Sequence, residues 1–263
     1  ETDAGGTEHV EETVPMIQVL ERFAKIMNHV SAHDEAPCRL RDLAAMLGVS
    51  PSACANIVSS MVKLGYLESA EQGGYRLGPT PSLLVRSGAY KQYIVQTAAP
   101  FLEELVRRIN ENCLIVTHSD GKRVVLLTRK SSRELQLNEP LMTENLMHTA
   151  TGCVMLAHMS GEELERYESV QPFTGSIFPA VTSWSGFRAK LAGIRRDGIA
   201  FDNRGVGLDG RRALAVPVYR DGELECVLGC WYPTVRANPK HRACIALNCR
   251  KTAGRISAAL DAL

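Results

Sequence analysis

The chain has 263 residues, which is enough for one large domain or two small ones. Hydrophobic residues make up 45% of it and charged residues 22%, and this composition excludes a wholly disordered or fibrous protein. The formal net charge is +1, so the overall charge does not indicate a nucleic acid, a membrane or an acidic partner. Any such function must come from a local arrangement of residues.

Residues 1–15 are expected to form a flexible tail. They are rich in acidic side chains and lack the basic start and apolar stretch of a signal peptide. Elsewhere the apolar runs, such as Ala213–Val218, have the length of a strand and not of a membrane-spanning helix. We therefore expect a cytoplasmic protein without a membrane segment, whose eight cysteines stay reduced.

Three helices and a hairpin are predicted for residues 16–80. Apolar residues recur at every third or fourth position over about residues 16–33, which predicts an amphipathic helix. Gly48 is suited to end a second helix in the left-handed conformation, and Ser50 and Pro51 are the residue types that begin a third. A Gly-Gly turn between two short alternating patterns then predicts a β-hairpin.

A linker helix is predicted for residues 81–97, followed by a second domain over residues 98–263. The helical pattern continues to about Ile109, and Pro100 is expected to kink or divide it. Beyond it, strand-like and helical segments are interleaved, and Asp-Gly pairs indicate two hairpin turns. These features predict an α+β domain with a mostly antiparallel sheet.

A tight turn that contains glycine joins the second and third helices, and the hairpin follows them. This is the pattern of a winged helix-turn-helix, in which the second helix of the pair enters the major groove of DNA. Asn56 is predicted to read adenine, and Ala53 or Ala55 to contact thymine methyl groups. Ser50 and Ser52 are expected to make adaptable polar contacts. The basic side chains expected to contact the DNA backbone are Arg39, Arg41, Lys63 and Arg76. The alternative for the domain is a winged helix used only for protein contacts. The alternative for each of the residues named here is a solvated surface residue.

Six motifs follow one another along the two predicted domains. The first domain contains LRDLAAMLGVSPS, KLGYLES and YRLG, and the second contains HTATGCVMLA, DGIAFDN and AVPVYRDGELECVLG. In these motifs and their order the chain resembles the isocitrate lyase regulator (IclR) family of bacterial transcription factors. The resemblance implies an N-terminal winged helix, a linker helix and a C-terminal effector-binding domain related to the GAF and PAS small-molecule sensor folds. It also implies a homodimer or homotetramer on palindromic double-stranded operator DNA, with no enzyme activity and no cofactor.

The predicted DNA-binding domain is poor in positive charge. Where the family often carries a lysine near the start of the recognition helix and an arginine midway, this chain has Pro51 and Asn56. Between residues 34 and 78 the four basic residues named above stand against five acidic ones: Asp34, Glu35, Asp42, Glu68 and Glu71. Because few phosphates can be neutralised, we expect the DNA affinity to depend only weakly on salt.

The segment HTATGC places a helix start at residues 148–153 of the second domain. Backbone N–H groups at a helix start can bind an anion, which makes this segment a candidate for contact with an acidic effector. The effector contacts expected here are Thr149, Ala150, Gly152 and Cys153. An ordinary capped helix, with His148 packed at the end of a strand, is the alternative.

Alternation along the predicted strand ELECVLGCWYP puts its residues on two faces: Val227, Gly229 and Trp231 on one, and Cys226, Leu228 and Cys230 on the other. The resemblance implies that the face with Gly229 and Trp231 lines the effector cavity. Small side chains at Ala213 and Gly229 would leave room there, and Trp231 offers a flat wall for an aromatic ring. A tryptophan that is simply part of the core is the alternative.

Charged residues near this cavity favour an acidic ligand. Asp202 keeps the first position of an acidic pair that the family often carries, but the basic residues Arg204, Arg211 and Arg212 follow it. The leading interpretation is a ligand-responsive transcriptional regulator that senses a small organic acid, aromatic if Trp231 stacks on it. Such a regulator would control a catabolic operon.

A small-molecule-binding or cysteine-dependent catalytic module with a vestigial winged helix is the alternative function. Cys153 lies near a predicted helix start, where the pKa of its thiol could fall, but beside His148 no third, orienting group is evident. The spacings Cys226–Cys230 and Cys244–Cys249 do not match a zinc motif, since residues four apart on a strand are too distant to share one ion. No metal site is therefore expected.

Overall fold

The computed structural model describes residues 16–33, 36–86, 90–119, 121–133, 142–143, 145–202, 204 and 210–263. The chain divides into two compact units, residues 1–89 and 90–263. The sequence pattern placed this boundary near Thr97. The units divide earlier because the helix Gln92–Ile109 packs against the C-terminal sheet from Ile94 onwards.

The N-terminal unit contains the predicted three helices and hairpin. Its elements are α1 (Gln18–Ala32), α2 (Leu40–Leu47), α3 (Pro51–Lys63), β1 (Leu67–Ser69), β2 (Tyr75–Leu77) and α4 (Pro79–Arg86). Gly48 ends α2 in the left-handed conformation, and Ser50 Oγ accepts a hydrogen bond from the Ala53 N–H at 3.3 Å to cap α3. Both predicted helix boundaries are confirmed.

The predicted helix over residues 81–97 is replaced by parts of two helices. α4 ends at Arg86, and α5 (Gln92–Ile109) begins after Lys91, whose φ is +50°. Of the two effects expected of Pro100, a kink or a division, the division does not occur, because α5 continues through this residue. A proline inside a helix costs about 3 kcal/mol, and α5 compensates by burying Ile94, Ala98 and Leu102 on both sides of Pro100.

The C-terminal unit is built on a six-stranded sheet in which every pair is antiparallel, as predicted. The strands are β3 (Asn112–Ser119), β4 (Lys122–Arg129), β5 (Met142–Thr143), β6 (Ala200–Phe201), β7 (Arg211–Arg220) and β8 (Glu223–Pro233). Their order across the sheet is β5-β4-β3-β8-β7-β6. Asp221 and Gly222 both have positive φ in the β7–β8 turn, which suits a tight hairpin.

Helices cover both faces of this sheet. The remaining helices are α6 (Ala150–His158), α7 (Gly161–Val170), α8 (Trp184–Asp197) and α9 (Pro239–Leu260). Residues of α5 and α9 form one buried core with Leu228 and Cys230, and residues of α6 and α8 form another with Val227 and Trp231. The predicted alternation along β8 is therefore confirmed.

Among the described residues, no single helix is long and apolar enough to cross a membrane. Only α2 and α3 counted together reach that length and apolarity, and the two are bent by 111° with respect to each other.

Candidate functional site

The solvent face of α3 carries the residues predicted to read bases. Ser52 and Asn56 are exposed one turn apart, and Ala53 is half-buried between them. Ser50 serves mainly as the cap of α3, and its Oγ also lies 3.1 Å from Ser52 Oγ. The face is therefore short and polar, and the described part of α3 presents one positive charge, Lys63, at its far end.

The predicted phosphate contacts lie on several elements of the same unit. Arg39 precedes α2, and Arg41 lies in its first turn with Nε 3.6 Å from the Asp42 carboxylate. On the hairpin, Arg76 Nε is 2.6 Å from Glu68 Oε1, and the two residues are cross-strand neighbours. Two of the predicted cations are thus already paired with acidic side chains.

We expect Glu68→Gln to strengthen DNA binding and to steepen its dependence on salt. The substitution removes a negative charge and releases the Arg76 guanidinium to neutralise a phosphate, which changes the slope of log affinity against log salt by about −0.9 per contact. Fluorescence anisotropy at several salt concentrations measures this slope. Glu71→Gln removes the same charge from the exposed hairpin turn without releasing an arginine, so equal slopes in both variants would contradict the prediction.

A small cavity of about 40 Å³ lies in the C-terminal unit, between the start of α6 and the strands β7 and β8. Its wall is formed by Leu114, His148, Thr149, Ala150, Thr151, Asp202, Arg204, Arg211, Ala213, Leu214, Gly229, Cys230 and Trp231. The structure thus brings together six of the eight predicted effector contacts, and Trp231 lies among them with 4% of its surface exposed. Trp231 also belongs to the core, so its two predicted roles coincide.

Gly229 does not leave room in this cavity, and the expectation that it would is wrong. A Cβ atom added to Gly229 would lie 2.7 Å from Thr151 Cγ2 and 3.0 Å from Leu114 Cδ1. The space above the glycine is therefore already filled, and its role is to let the first turn of α6 approach β8. Ala213, directly opposite Trp231 in the register of β7 and β8, is the small residue that borders open space.

The first turn of α6 supplies fewer backbone donors than the sequence indicated. Thr149 caps the helix, since its Oγ1 accepts a hydrogen bond from the Gly152 N–H at 2.9 Å. Gly152 lies outside the cavity wall and packs against the carbonyl of Leu146. Of the N–H groups that have no partner within a helix, those of Ala150 and Thr151 remain at the cavity.

Cys153 is likewise outside the cavity wall. It is fully buried, and its Sγ donates a hydrogen bond to the Met147 carbonyl at 3.5 Å. Burial and the negative charge of Asp202 raise the pKa of this thiol, so the expected lowering at a helix start is wrong. A protonated, enclosed thiol is a poor nucleophile, and this geometry favours a packing role for Cys153.

Positive charge exceeds negative charge around the cavity. Asp202 is buried, and its carboxylate accepts a hydrogen bond from Arg204 Nη2 at 2.7 Å. Arg211 is a second basic side chain in the wall, whereas Arg212 donates to the Arg204 carbonyl and is not part of the wall. With two arginines and one aspartate, and His148 counted as neutral, the wall carries one excess positive charge.

Four wall residues were not predicted from the sequence: Leu114, Thr151, Leu214 and Cys230. Thr151 is part of the HTATGC segment, and its place in the first helical turn was a usable signal. Leu114 is paired with Gly229 across β3 and β8. This pairing depends on the register between distant strands, which periodicity in a single sequence does not reveal.

Comparison with family models finds two matches: the IclR helix-turn-helix domain over residues 19–71, and the bacterial transcriptional regulator IclR C-terminal domain over residues 88–258. A comparison with curated proteins finds no match.

Solved structures with the same fold cover nearly the whole chain. An IclR homolog from Microbacterium hydrocarbonoxydans in complex with 4-hydroxybenzoate is 21% identical, with 93% of this chain and 100% of that chain covered and a TM-score of 0.74. The IclR regulator from Alicyclobacillus acidocaldarius is 18% identical, with coverages of 94% and 100% and a TM-score of 0.73. The IclR protein of Thermotoga maritima is 16% identical, with coverages of 92% and 98% and a TM-score of 0.69. Because the C-terminal family match alone spans more than half of it, the chain belongs to the IclR family of bacterial transcriptional regulators, with a helix-turn-helix DNA-binding domain followed by an effector-binding domain.

Proposed function

We propose that this regulator acts in the cytoplasm, binds a small aromatic acid in the cavity at the start of α6, and thereby changes its affinity for the operator of a catabolic operon. The observation that carries the proposal is the wall itself: one excess positive charge, the first-turn residues Ala150 and Thr151, and Trp231 line one space. Backbone N–H groups of a first helical turn suit a carboxylate, and a tryptophan ring suits an aromatic ring. The IclR homolog of Microbacterium hydrocarbonoxydans, solved with 4-hydroxybenzoate, supports the choice of this acid as the first probe.

Binding must enlarge the cavity. A volume of about 40 Å³ holds a few water molecules, whereas a cavity of roughly 150 Å³ is known to admit benzene. An aromatic acid therefore has to displace side chains in the wall, and its carboxylate competes with Asp202 for Arg204. A ligand that fits only after such movement favours one conformation of the unit over another, which is what an effector requires.

We expect 4-hydroxybenzoate to raise the melting temperature of the parent chain and to have no effect on Ala213→Leu. Leucine at position 213 fills the space opposite Trp231 without emptying the core, whereas removal of the Trp231 ring would itself cost about 3–5 kcal/mol. At a concentration of 100 times Kd the ligand adds about 2.7 kcal/mol to the stability of the parent. Differential scanning fluorimetry that follows tryptophan emission measures the shift in the C-terminal unit, which contains both tryptophans.

Ala258→Leu is the matched control, because Ala258 is exposed on α9 and lies outside the wall. It should keep the full response. An equal response in Ala213→Leu would place the ligand elsewhere, and stabilisation by 4-hydroxybenzylamine in place of the acid would contradict the acidic assignment. In operator-binding assays, an acid that weakens DNA binding must bind less tightly to the operator complex by the same factor.

The N-terminal unit is proposed to dimerise on a palindromic operator, with pairing of effector domains to give a tetramer. One recognition helix reads only a few base pairs, and dimers read two half-sites. Exposed large apolar side chains in the N-terminal unit support dimerisation through this unit, because such side chains often mark a protein interface. Each of these is more than half exposed: Ile17 and Leu20 at the start of α1, and Leu83 and Leu84 on α4.

We expect light scattering of the operator complex to give two or four chains per DNA. A single chain per DNA would contradict this assembly.

A further inference from the structure

A cluster of three metal-ligating side chains lies in the N-terminal unit, outside both sites described above. His29 and His33 are one turn apart at the end of α1, and Cys38 follows the helix. One ligand atom from each residue lies within 4.8 Å of the other two.

One ring nitrogen of His33 has a hydrogen-bond partner in the backbone, and the other is available to a metal ion. Its Nδ1 lies 2.7 Å from the His29 carbonyl oxygen, so the tautomer protonated at Nδ1 donates there and leaves the Nε2 lone pair available. A hydrogen bond of this kind, from the second ring nitrogen to a backbone carbonyl, is typical of metal-binding histidines. The two rings also stack, with centroids 4.3 Å apart.

Neither His29 nor Cys38 uses its ligand atom elsewhere in the described part of the chain, where the His29 ring and the Cys38 thiol make no hydrogen bond. His158 shows the contrast, because one of its nitrogens pairs with the Val154 carbonyl at 2.8 Å and the other with the Tyr219 hydroxyl at 2.9 Å. The cluster therefore has donor atoms to offer, and His158 does not.

Cys38 is fixed in place by its backbone. Its N–H and carbonyl both pair with Tyr75 at 2.9 Å, which joins this residue to the first position of β2 in the hairpin. The side chain is buried, with 8% of the residue exposed. His33 is exposed and can adjust, so the cluster combines one anchored ligand with one adaptable ligand.

We propose that His29, His33 and Cys38 bind a divalent transition-metal ion of the zinc type. Two imidazoles and a thiolate form a ligand set that suits Zn²⁺. Bond lengths of about 2.0–2.1 Å to nitrogen and 2.3 Å to sulfur in a tetrahedral site separate the ligand atoms by about 3.4–3.6 Å. The 4.8 Å limit of the cluster exceeds this spacing by about 1.2–1.4 Å, and a small displacement of the exposed His33, with its hydrogen bond to the His29 carbonyl kept, can close the difference. The fourth position is left for water or another ligand.

Such an ion would join the end of α1 to the hairpin through Cys38 and its pairing with Tyr75. It would stabilise the N-terminal unit because it binds the folded arrangement and not the unfolded chain. This effect is independent of the cavity in the C-terminal unit, so the metal site and the effector proposal can fail separately.

The test uses Co²⁺ as a spectroscopic probe of the full chain, stripped of metal and kept reduced by a phosphine, without DNA or effector. We expect one equivalent of Co²⁺ to produce visible bands of tetrahedral coordination and a thiolate-to-cobalt band in the near ultraviolet, and Zn²⁺ to displace both. Cys38→Ser should abolish the thiolate band and weaken Co²⁺ binding by about 10-fold to 100-fold or more. Loss of a residue that only supports a metal ligand already weakens binding by about this factor, and Cys38 is proposed as a ligand itself.

Cys244→Ser is the matched control, because Cys244 is the exposed cysteine of the chain and lies outside the cluster. It should bind Co²⁺ like the parent. His33→Ala provides a second removal at an exposed position where the fold is not at risk, and it should weaken binding as well. The proposal is overturned if the parent shows no thiolate band, or if both Cys38→Ser and His33→Ala bind Co²⁺ as tightly as the parent.

Discussion

Replacement of Gly152 by alanine is expected to lower the free energy of unfolding of the C-terminal unit by about 1–3 kcal/mol or more. The added Cβ would overlap the carbonyl group and Cα of Leu146. These are backbone atoms of the fully buried Leu146, whose N–H donates to the Tyr167 hydroxyl at 2.9 Å, so the residue cannot move aside freely. The gain of about 1 kcal/mol that alanine brings to a helix is smaller than this overlap costs.

Gly193→Ala is the matched control for this substitution. Gly193 also lies inside a helix, α8, but a Cβ there would meet no atom within 4 Å. Here only helix propensity acts, and stability should rise by up to about 1 kcal/mol. Urea unfolding followed by tryptophan fluorescence compares both variants with the parent. If the two alanine variants unfold at the same urea concentration, the turn at Leu146 accommodates the added Cβ without loss of stability, which would contradict the prediction.

Asn56→Ala is expected to cost about 1–3 kcal/mol of binding free energy on the cognate operator, or roughly 5-fold to 150-fold in affinity, with little change on random DNA. The Asn56 side chain is exposed on α3 and makes no hydrogen bond within the described part of the chain. Its carboxamide is therefore available to pair with both N6 and N7 of adenine. Fluorescence anisotropy with operator and random duplexes at one salt concentration measures both affinities.

Ser59→Ala controls for the removal of a polar group from the same helix, because Ser59 is exposed on α3 three residues further along. It should change neither affinity by much. If Asn56→Ala weakens both duplexes to the same extent, Asn56 contacts the backbone and not a base.

Features that depend on neighbouring residues were predictable from the sequence. Gly48 and Ser50 set the turn between α2 and α3 through their own conformation and side-chain hydrogen bond, and the structure has both. The alternation on β8 separated Val227 and Trp231 from Leu228, and the two buried cores keep that separation. Period and capping are local properties, so one sequence is enough to show them.

Features that depend on distant residues were not predictable in the same way. The contact of Gly229 with Thr151 and Leu114 requires the register of β3 and β8 and the height of α6 above the sheet. The enclosure of the Cys153 thiol follows from burial on all sides, whereas its sequence neighbourhood suggested an activated group. In both cases tertiary packing determines the chemistry, and local pattern does not record it.

The distribution of the cysteines has a practical consequence. Seven of the eight thiols are buried, and Cys244, in the first half of α9, is exposed. Since maleimide dyes react with accessible thiolates, brief labelling of the unmodified chain should place one fluorophore on each chain. If the chains assemble as proposed, a mixture of donor-labelled and acceptor-labelled chains will show energy transfer in solution, with and without an organic acid, and no cysteine has to be introduced.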